Sequence, residues 1–431
     1  MRRVLGSVLL LYTLLISFGD AFKLHRWVPV PLTVLLLGVM AAVWSSLLAP
    51  RIRLDRSFFR TFDVLLLAYI VDLGLSLLFS GRIELKNINH LVAYTTVVGL
   101  YYFFVKLLFA ADDTYAQYES RIRTTLMLSV LLVSTYTILE FIDVNVTSLG
   151  VTALVRFPED LGTYRPLFLV FIRARGFMGE SAMLALFLNT FVPMSFVHLR
   201  RTVGTVPAVL FLLVAAAASA VTFSVAAVAF IALGLLLALA MYVYDRGVVF
   251  VSVRWTVAVV CLSLLVGVVA AQLPVDVWRQ VADKMTLVND PASGYDRMRH
   301  WLDAAPVAAE HPLLGTGIGS TSAELGGGVI SFYLTMLKEA GLPSLMLIVA
   351  FLVAVFRQIL LLPRWDPYKY AYAASFAAAV CHYAIISDIW YPWFWLLCIF
   401  VIAQRRVGGM AREAARVSAS TGVPASDSRV I

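Results

Sequence analysis

Apolar segments long enough to cross a bilayer recur along the whole of this 431-residue chain. A membrane helix needs about 20 largely apolar residues. We place about twelve such segments, at 4–18, 28–49, 62–80, 91–110, 124–142, 182–198, 203–222, 224–244, 252–273, 330–356, 370–387 and 390–404. Only 14% of the residues are charged, against about 25% in soluble domains. The sequence therefore predicts an all-α integral membrane protein, with one polytopic domain over residues 1–409.

The two ends of the chain carry separate signals. Arg2 and Arg3 precede an apolar stretch as in a signal peptide, but Gly19-Asp20-Ala21-Phe22 is a poor cleavage site. We therefore expect a retained first helix. Residues 410–431 are rich in Ala, Ser and Arg and predict a disordered tail.

The distribution of Lys and Arg predicts the orientation of the helices. Connections that would face the cytoplasm with an internal N-terminus hold more basic residues than the opposite connections. Both chain ends are then cytoplasmic, and two long segments, 143–181 and 274–329, face outward. These two segments hold most of the outer basic residues, which the topology does not require there.

Several function classes are disfavoured. The net charge is +8, but the basic residues sit at helix ends rather than on one face, so a nucleic-acid partner is not expected. Cys261, Cys381 and Cys398 all lie in apolar segments without a Cys or His partner motif. No Asp-x-Asp occurs in an outer segment, so a metal-bridged diphosphate is not expected either.

The first outer segment combines Arg165, Arg173, Arg175 and Glu180 with strongly apolar neighbours. The planar fork of arginine suits phosphate oxygens, so a site for an anionic lipid headgroup is one interpretation. Snorkelling of the long side chains to the interface is the other. Glu180 is either a general base or a salt-bridge partner of Arg173 or Arg175.

The second outer segment begins with a predicted helix. Ser293-Gly294-Tyr295-Asp296 fits a capping box, and the helix would run to Pro306. A spacing of four puts Arg297 beside Trp301 and Arg299 beside Asp303, which leaves Arg297 free to meet an anion. Gly315, Gly317 and Gly319 then predict a tight turn, without the context of a nucleotide-binding loop.

Polar residues also occur inside the predicted spans: Asp63, Asp72, Lys106, Glu140, Lys338, Glu339 and His382. They fit either a relay or transport path or ion pairs that stabilise the bundle. No chemistry is assigned to them.

Together, the motifs of the outer segments resemble the O-antigen ligase and Wzy-type polysaccharide polymerase superfamily. The resemblance is carried by Arg297-(x)3-Trp301, by Pro312-Leu313-Leu314-Gly315-Thr316-Gly317 and by Leu337-Lys338-Glu339-Ala340-Gly341-Leu342. Arg173 to Ser181 is similar to the polymerases' Arg, Gly-Phe and Glu-Pro-Ser pattern without its proline. Arg165 and Gly176 fit an arginine-(x)10-glycine spacing known from polymerase loops.

One departure from the family separates its two branches. Ligases carry a His-Asn or His-Ser pair at the start of the tenth helix, where this chain has Ile330-Ser331. The proposed histidine base of the ligases is therefore missing, and His311, which belongs to the glycine turn, does not replace it. This difference favours the polymerase branch.

The resemblance implies a GT-C-like bundle with a large periplasmic loop before helix ten, in a bacterial inner membrane. It implies an inverting, metal-independent glycosyltransferase without a cofactor, which joins oligosaccharide repeat units carried on undecaprenyl diphosphate. A chain-length regulator is a further expected partner. Glu180 and Arg297 are the expected catalytic residues, and the expected substrate-binding residues are Arg165, Arg173, Arg175, Arg299, Trp301, Gly315 and Gly317. The alternatives are an O-antigen ligase acting on lipid A-core and a lipid-linked sugar transporter.

Overall fold

The structure is a computed structural model. It describes residues 2–23, 28–48, 59–60, 62–81, 83–111, 114–157, 167–168, 171–247, 279, 294–320, 330–387 and 389–421.

Helices make up most of the described chain. They are α1 Arg2–Leu15, α2 Val30–Leu48, α3 Asp63–Phe79, α4 Leu85–Thr96, a π-helix Val97–Phe104, α5 Val105–Ala110, α6 Thr114–Asn145, α7 Ser181–Thr202, α8 Thr205–Ala220, α9 Val225–Arg246, α10 Gly294–Glu310, α11 Phe332–Leu360, α12 Lys369–His382 and α13 Pro392–Thr421. The described remainder includes a 3₁₀ turn, Val151–Leu154, and a two-stranded antiparallel hairpin. Its strands are β1 Leu167–Phe168 and β2 Phe171–Ile172.

The predicted all-α membrane protein is confirmed, and the number of spans is not. Among the described residues, five helical segments are long and apolar enough to cross a membrane: Leu85–Ala110, Thr114–Asn145, Ser181–Thr202, Val225–Arg246 and Phe332–Leu360. Three shorter apolar helices are Arg3–Leu15, Val30–Val43 and Thr205–Ala220. Twelve spans remain a prediction, and the segment 252–273 lies outside the described residues.

The first half of α13 forms the centre of the bundle. Trp393 and Cys398 are completely buried, and so are nearly all the residues between them and Ala403. The Trp393 indole Nε1 donates to the Ile16 carbonyl at 2.8 Å, which ties α13 to the end of α1. Apolar side chains on α2, α3 and α9 are instead exposed, as expected for helices that face lipid.

Polar residues within the spans form local pairs. Lys106 lies 2.6 Å from the Asp63 carboxylate, and the Tyr102 hydroxyl also donates to Asp63 at 2.6 Å. Asp72 accepts from the Ser344 hydroxyl at 2.5 Å. These contacts join α3 to α5, to the π-helix and to α11, so they fit the bundle-stabilising interpretation.

Two helix ends differ from the sequence prediction. α10 continues through Pro306 to Glu310, because Ala304 and Ala308 bury one face against α11 and compensate for the backbone donor that proline lacks. α13 is helical to Thr421, past the expected start of the disordered tail at residue 410. The Ala, Arg and Glu residues there favour a helix, and no Gly or Pro interrupts them.

Candidate functional site

The turn Pro312–Gly319 is docked into a break in α11. At Gly341 the backbone leaves the helical conformation, with φ 81° and ψ −177°. The turn supplies backbone partners there. The Thr316 amide donates to the Lys338 carbonyl and the Gly317 amide to the Glu339 carbonyl, both at 2.9 Å. In the other direction, the Leu342 amide donates to the Pro312 carbonyl at 2.8 Å.

Glycine is required where the two backbones meet. A Cβ atom on Gly315 would lie 2.3 Å from the Glu339 carbonyl carbon, and one on Gly341 would lie 2.5 Å from that of Leu313. Both glycines also have positive φ, a conformation that other residues rarely adopt. The glycines of the two family-like motifs, 26 positions apart, therefore form one contact surface.

Glu339 holds the far end of the turn. Its side chain is buried, and its Oε2 accepts from the Gly319 amide at 2.9 Å. Its backbone carbonyl also accepts from the Ser76 hydroxyl at 2.8 Å, which fixes the break against α3. This geometry gives Glu339 a structural role in positioning the turn.

Lys338, next to Glu339, is 1% exposed. In the part of the chain that the structure describes, no hydrogen bond or ion pair involves its ammonium group. A buried cation is costly unless an anion or water meets it. The ammonium group is not among the fully enclosed polar atoms that lack a hydrogen bond, so Lys338 places a cation beside the turn that an anionic group can meet.

The start of α4 covers the turn from the other side. The Asn87 side-chain amide donates to the Ile318 carbonyl at 2.6 Å. The His90 ring lies so close to Gly319 that a Cβ there would be 2.9 Å from its Cδ2 atom. This half-buried ring also contacts Trp390, with ring centroids 5.8 Å apart.

Sequence reasoning missed His90. It stands just before the predicted span 91–110, where a single histidine gives no motif. Only the fold, which brings α4 over the glycine turn, shows its relation to the other residues.

Asp20 connects the first outer segment to the same end of the bundle. Its Oδ2 accepts from the Gly179 amide at 2.7 Å and from the Tyr391 hydroxyl at 2.6 Å, while Lys23 lies 2.6 Å from Oδ1. Because Tyr391 follows Trp390, the neighbour of His90, the segment around Gly179 and the glycine turn lie at one end of the bundle. The sequence had indicated only that Asp20 made a poor cleavage site.

The arginines of the first outer segment have partners within the protein. Arg173 Nε donates to the Thr222 carbonyl at 2.8 Å. The Arg175 guanidinium stacks on Phe157 at 4.0 Å and donates to the Gly179 carbonyl at 3.4 Å. Both side chains thus make contacts that hold the loop, and their role in substrate binding stays a prediction. Arg165 lies outside the described residues.

The carboxylate that organises this loop is Glu140 rather than Glu180. Glu140 is buried, and its Oε2 accepts from the backbone amides of Arg175 at 3.0 Å and Gly176 at 2.7 Å. A glutamate on the preceding helix can accept these amides because Gly176 has φ 62° and the chain turns sharply there.

The expected apolar surroundings of Glu180 are not observed. Glu180 is exposed and occupies the position just before α7. The apolar neighbour Phe177 turns inward and stacks on Phe18 and Tyr136, with centroids 4.5 and 4.6 Å apart. The Glu180 carboxylate is consequently open to solvent at the same end of the bundle as Asp20.

The second outer segment meets α11 through α10. Trp301 Nε1 donates to the Ile330 carbonyl at 3.4 Å, and the adjacent Ser331 hydroxyl accepts from the Leu334 amide at 3.5 Å as the N-cap of α11. Ile330 and Ser331 therefore anchor α10 and begin α11. Arg297 and Arg299 belong to α10 by backbone, and their side chains lie outside the described part.

A comparison with protein-family models and a comparison with curated proteins each gave no match. The family resemblance of the motifs is therefore an expectation, and the activity that it implies is a proposal.

Proposed function

We propose that this protein is a membrane glycosyltransferase of the polysaccharide-polymerase type. It would join oligosaccharide repeat units carried on undecaprenyl diphosphate at the outer face of a bacterial inner membrane. The observation that carries the proposal is the docking of the Pro312–Gly319 turn into the α11 break at Gly341. Two family-like motifs that are separate in sequence meet there through backbone contacts that only glycine allows.

The buried Lys338 supports an anionic substrate at this position. In the proposed reaction, the bond between the anomeric carbon and the carrier diphosphate breaks, and the diphosphate leaves with the electron pair. A preorganised cation stabilises the negative charge that develops on such a leaving group. Lys338 beside the turn and Arg297 on α10 are the cations that we assign to this role, while Arg173 and Arg175 hold the adjacent loop.

The acceptor hydroxyl needs a group that takes its proton as its oxygen bonds to the anomeric carbon. Two side chains at this end of the bundle are candidates. Glu180 is exposed before α7, and His90 lies beside Gly319. An exposed carboxylate accepts a proton less readily than one in an apolar site, so the exposure of Glu180 makes His90 a serious alternative.

The two other functions differ in what they require. A ligase would perform the same bond exchange with lipid A-core as the acceptor, and Ile330 in place of the family histidine disfavours it. A transporter would use a broken helix to bind its substrate near mid-membrane. Here the break at Gly341 is occupied by the backbone of the protein's own turn.

Reconstitution tests the proposal directly. The full chain in proteoliposomes is given a single lipid-linked repeat unit as its only substrate, and the glycans are separated by length. Polymerisation yields dimers and longer chains on one carrier and releases one undecaprenyl diphosphate per bond. Product only on added lipid A-core would identify a ligase, and movement of the unit without bond formation would identify a transporter. Either of these two results overturns the proposal.

A further inference from the structure

A polar cleft of about 350 Å³ lies far from the proposed site. It is lined by residues near the start of α6 and the end of α7, by Tyr368 before α12 and by Gln404 on α13. Gln404 is about 18 Å along α13 from Pro392, at the rise of a helix, and Pro392 follows the Trp390-Tyr391 pair of the proposed site. The cleft therefore belongs to the opposite end of the bundle, where the loop charges predict the cytoplasmic side.

Arg123 is fixed in the wall of this cleft and is only 3% exposed. Its Nη2 donates to the Tyr115 hydroxyl at 2.8 Å and to Gln404 Oε1 at 2.6 Å. Its guanidinium carbon lies 3.9 Å from the centre of the Tyr368 ring. The excess of basic residues in cytoplasmic loops explains an arginine that is exposed to solvent at this end of the bundle. It does not explain an arginine that is buried, as Arg123 is.

The donors of Arg123 are not all used. Nε donates to Glu119 at 3.1 Å, whereas the buried Nη1 has no hydrogen bond to any described residue. The Tyr372 ring lies 5.9 Å from the guanidinium carbon, and its hydroxyl interacts with Arg123 without the geometry of a normal hydrogen bond. An unsatisfied buried donor is costly, and more so on a charged group.

The remaining lining also favours an anion. Glu119 is the single carboxylate among the described lining residues, and its ion pair with Arg123 at 3.0 Å compensates its charge. Arg201 then contributes an uncompensated positive charge from an exposed position with no ion pair to a described residue. Ser120 adds a hydroxyl group, whereas the Thr202 hydroxyl donates to the His198 carbonyl at 2.9 Å. Arginine forks together with hydroxyls are the donor set typical of phosphate sites.

We propose that this cleft binds a phosphate group, carried either by an anionic lipid headgroup or by a small phosphorylated molecule. The volume suits a ligand larger than phosphate alone, since small-molecule pockets begin at about 300 Å³. The cleft is separate from the proposed transferase site, and the inference does not depend on the transferase function. In this proposal the buried Arg123 is the fixed cation, and the exposed Arg201 side chain moves to contact the ligand.

The test uses the full chain in nanodiscs of phosphatidylcholine, with inorganic phosphate as the probe and chloride at equal ionic strength as the blank. Binding is followed by ³¹P line broadening and by the rise in Tm. We expect Arg201→Gln to weaken phosphate binding at least about tenfold, the scale of one charge-assisted contact. Arg200→Gln is the matched control, because Arg200 is also exposed on α7 but does not line the cleft.

A second variant tests the cleft without removing an arginine. Ser120 is exposed, so Ser120→Asp should fold, and its new carboxylate should abolish phosphate binding by repulsion. Nanodiscs with phosphatidylglycerol separate the two sources. Displacement of phosphate by this lipid identifies the headgroup as the ligand, and undiminished phosphate binding identifies a free phosphorylated molecule. Absence of phosphate binding, or equal effects of Arg201→Gln and Arg200→Gln, overturns the proposal.

Discussion

Leu313 and Gly341 are in backbone contact. A Cβ on Gly341 would stand 2.5 Å from both the carbonyl carbon and the carbonyl oxygen of Leu313. The contact is possible because α11 breaks at Gly341 and the turn enters the gap. Non-helical backbone at membrane depth is tolerated only where protein or water satisfies it, and here the turn does so.

Gly341→Ala should therefore disrupt the turn. A positive φ such as that of Gly341 costs a non-glycine residue about 1–3 kcal/mol. The new methyl group would also displace Leu313. We expect a lower Tm in detergent and loss of glycan transfer. Gly74→Ala is the control: Gly74 lies in α3 with nothing within 4 Å of an added Cβ, so it should leave both measurements nearly unchanged. Equal Tm values for Gly341→Ala and Gly74→Ala would contradict this prediction, because they would show that the turn accommodates the added methyl group.

Lys106→Met should lower the free energy of unfolding, whereas Lys338→Met should not. Lys106 lies 2.6 Å from the Asp63 carboxylate, and leaving a buried carboxylate unpaired costs about 3–5 kcal/mol. Lys338 has no such partner in the described structure, so methionine should preserve or raise the free energy of unfolding. We expect Lys338→Met to fold normally and to lose most glycan transfer, measured with the lipid-linked unit. A large loss of stability in Lys338→Met would instead point to a structural anion at that site.

Arg297→Lys should impair glycan transfer more than Arg299→Lys. Both residues lie on α10, and Arg299 is one turn from Asp303, which gives it a structural partner by spacing. Loss of a two-point phosphate contact should cost about 1.5–3 kcal/mol of binding. Polymer yield at matched protein levels is the measurement. Equal yields from the two variants would contradict a diphosphate role for Arg297.

Glu180→Gln tests the carboxylate as the proton acceptor. A general base contributes about a hundred- to ten-thousand-fold in rate, and amide replacement preserves shape, so polymer should nearly vanish without a change in Tm. Glu140→Gln provides the contrast, since Glu140 accepts two backbone amides and its loss should lower Tm. Normal polymer from Glu180→Gln would remove this glutamate from the chemistry.

His90→Gln tests the alternative acceptor. The His90 ring is half-buried beside Gly319 and Trp390, so a neutral amide of similar length should keep the fold and remove a base. We expect the same large drop in transfer rate if histidine takes the proton, with unchanged binding of the lipid-linked unit. His311→Gln is the matched control, because His311 is exposed at the start of the turn. Indistinguishable rates for the His90 and His311 variants would leave Glu180 as the candidate.

The helices could be predicted from the sequence, because a long apolar segment has few structures other than a helix available to it in a membrane. The glycine turn was also predicted, since Gly315, Gly317 and Gly319 permit the positive φ angles that the structure has. The contacts of these glycines were not predictable. Their spacing does not reveal that α11 breaks at Gly341 or that Ser80 and His90 pack against Gly317 and Gly319.

The roles of individual charged residues were the part of the candidate site that the sequence predicted least well. Glu140 and Glu180 both occur within largely apolar stretches, although Glu180 itself stands between Gly179 and Ser181. The inward turn of Phe177 leaves Glu180 exposed, whereas Glu140 is buried against Gly176. Burial of this kind depends on tertiary contacts between distant segments, which local patterns do not encode.

The central position of α13 has a consequence for biogenesis. The helix that fills the middle of the bundle is synthesised after the other described helices, and its Trp393 donates a hydrogen bond to Ile16, just after α1. Earlier helices must therefore wait in the membrane with their inner faces uncovered, including the buried Lys106 and Arg123. The core closes only when α13 meets α1, so a ribosome that stalls before residue 392 would leave a nascent protein for quality-control proteases.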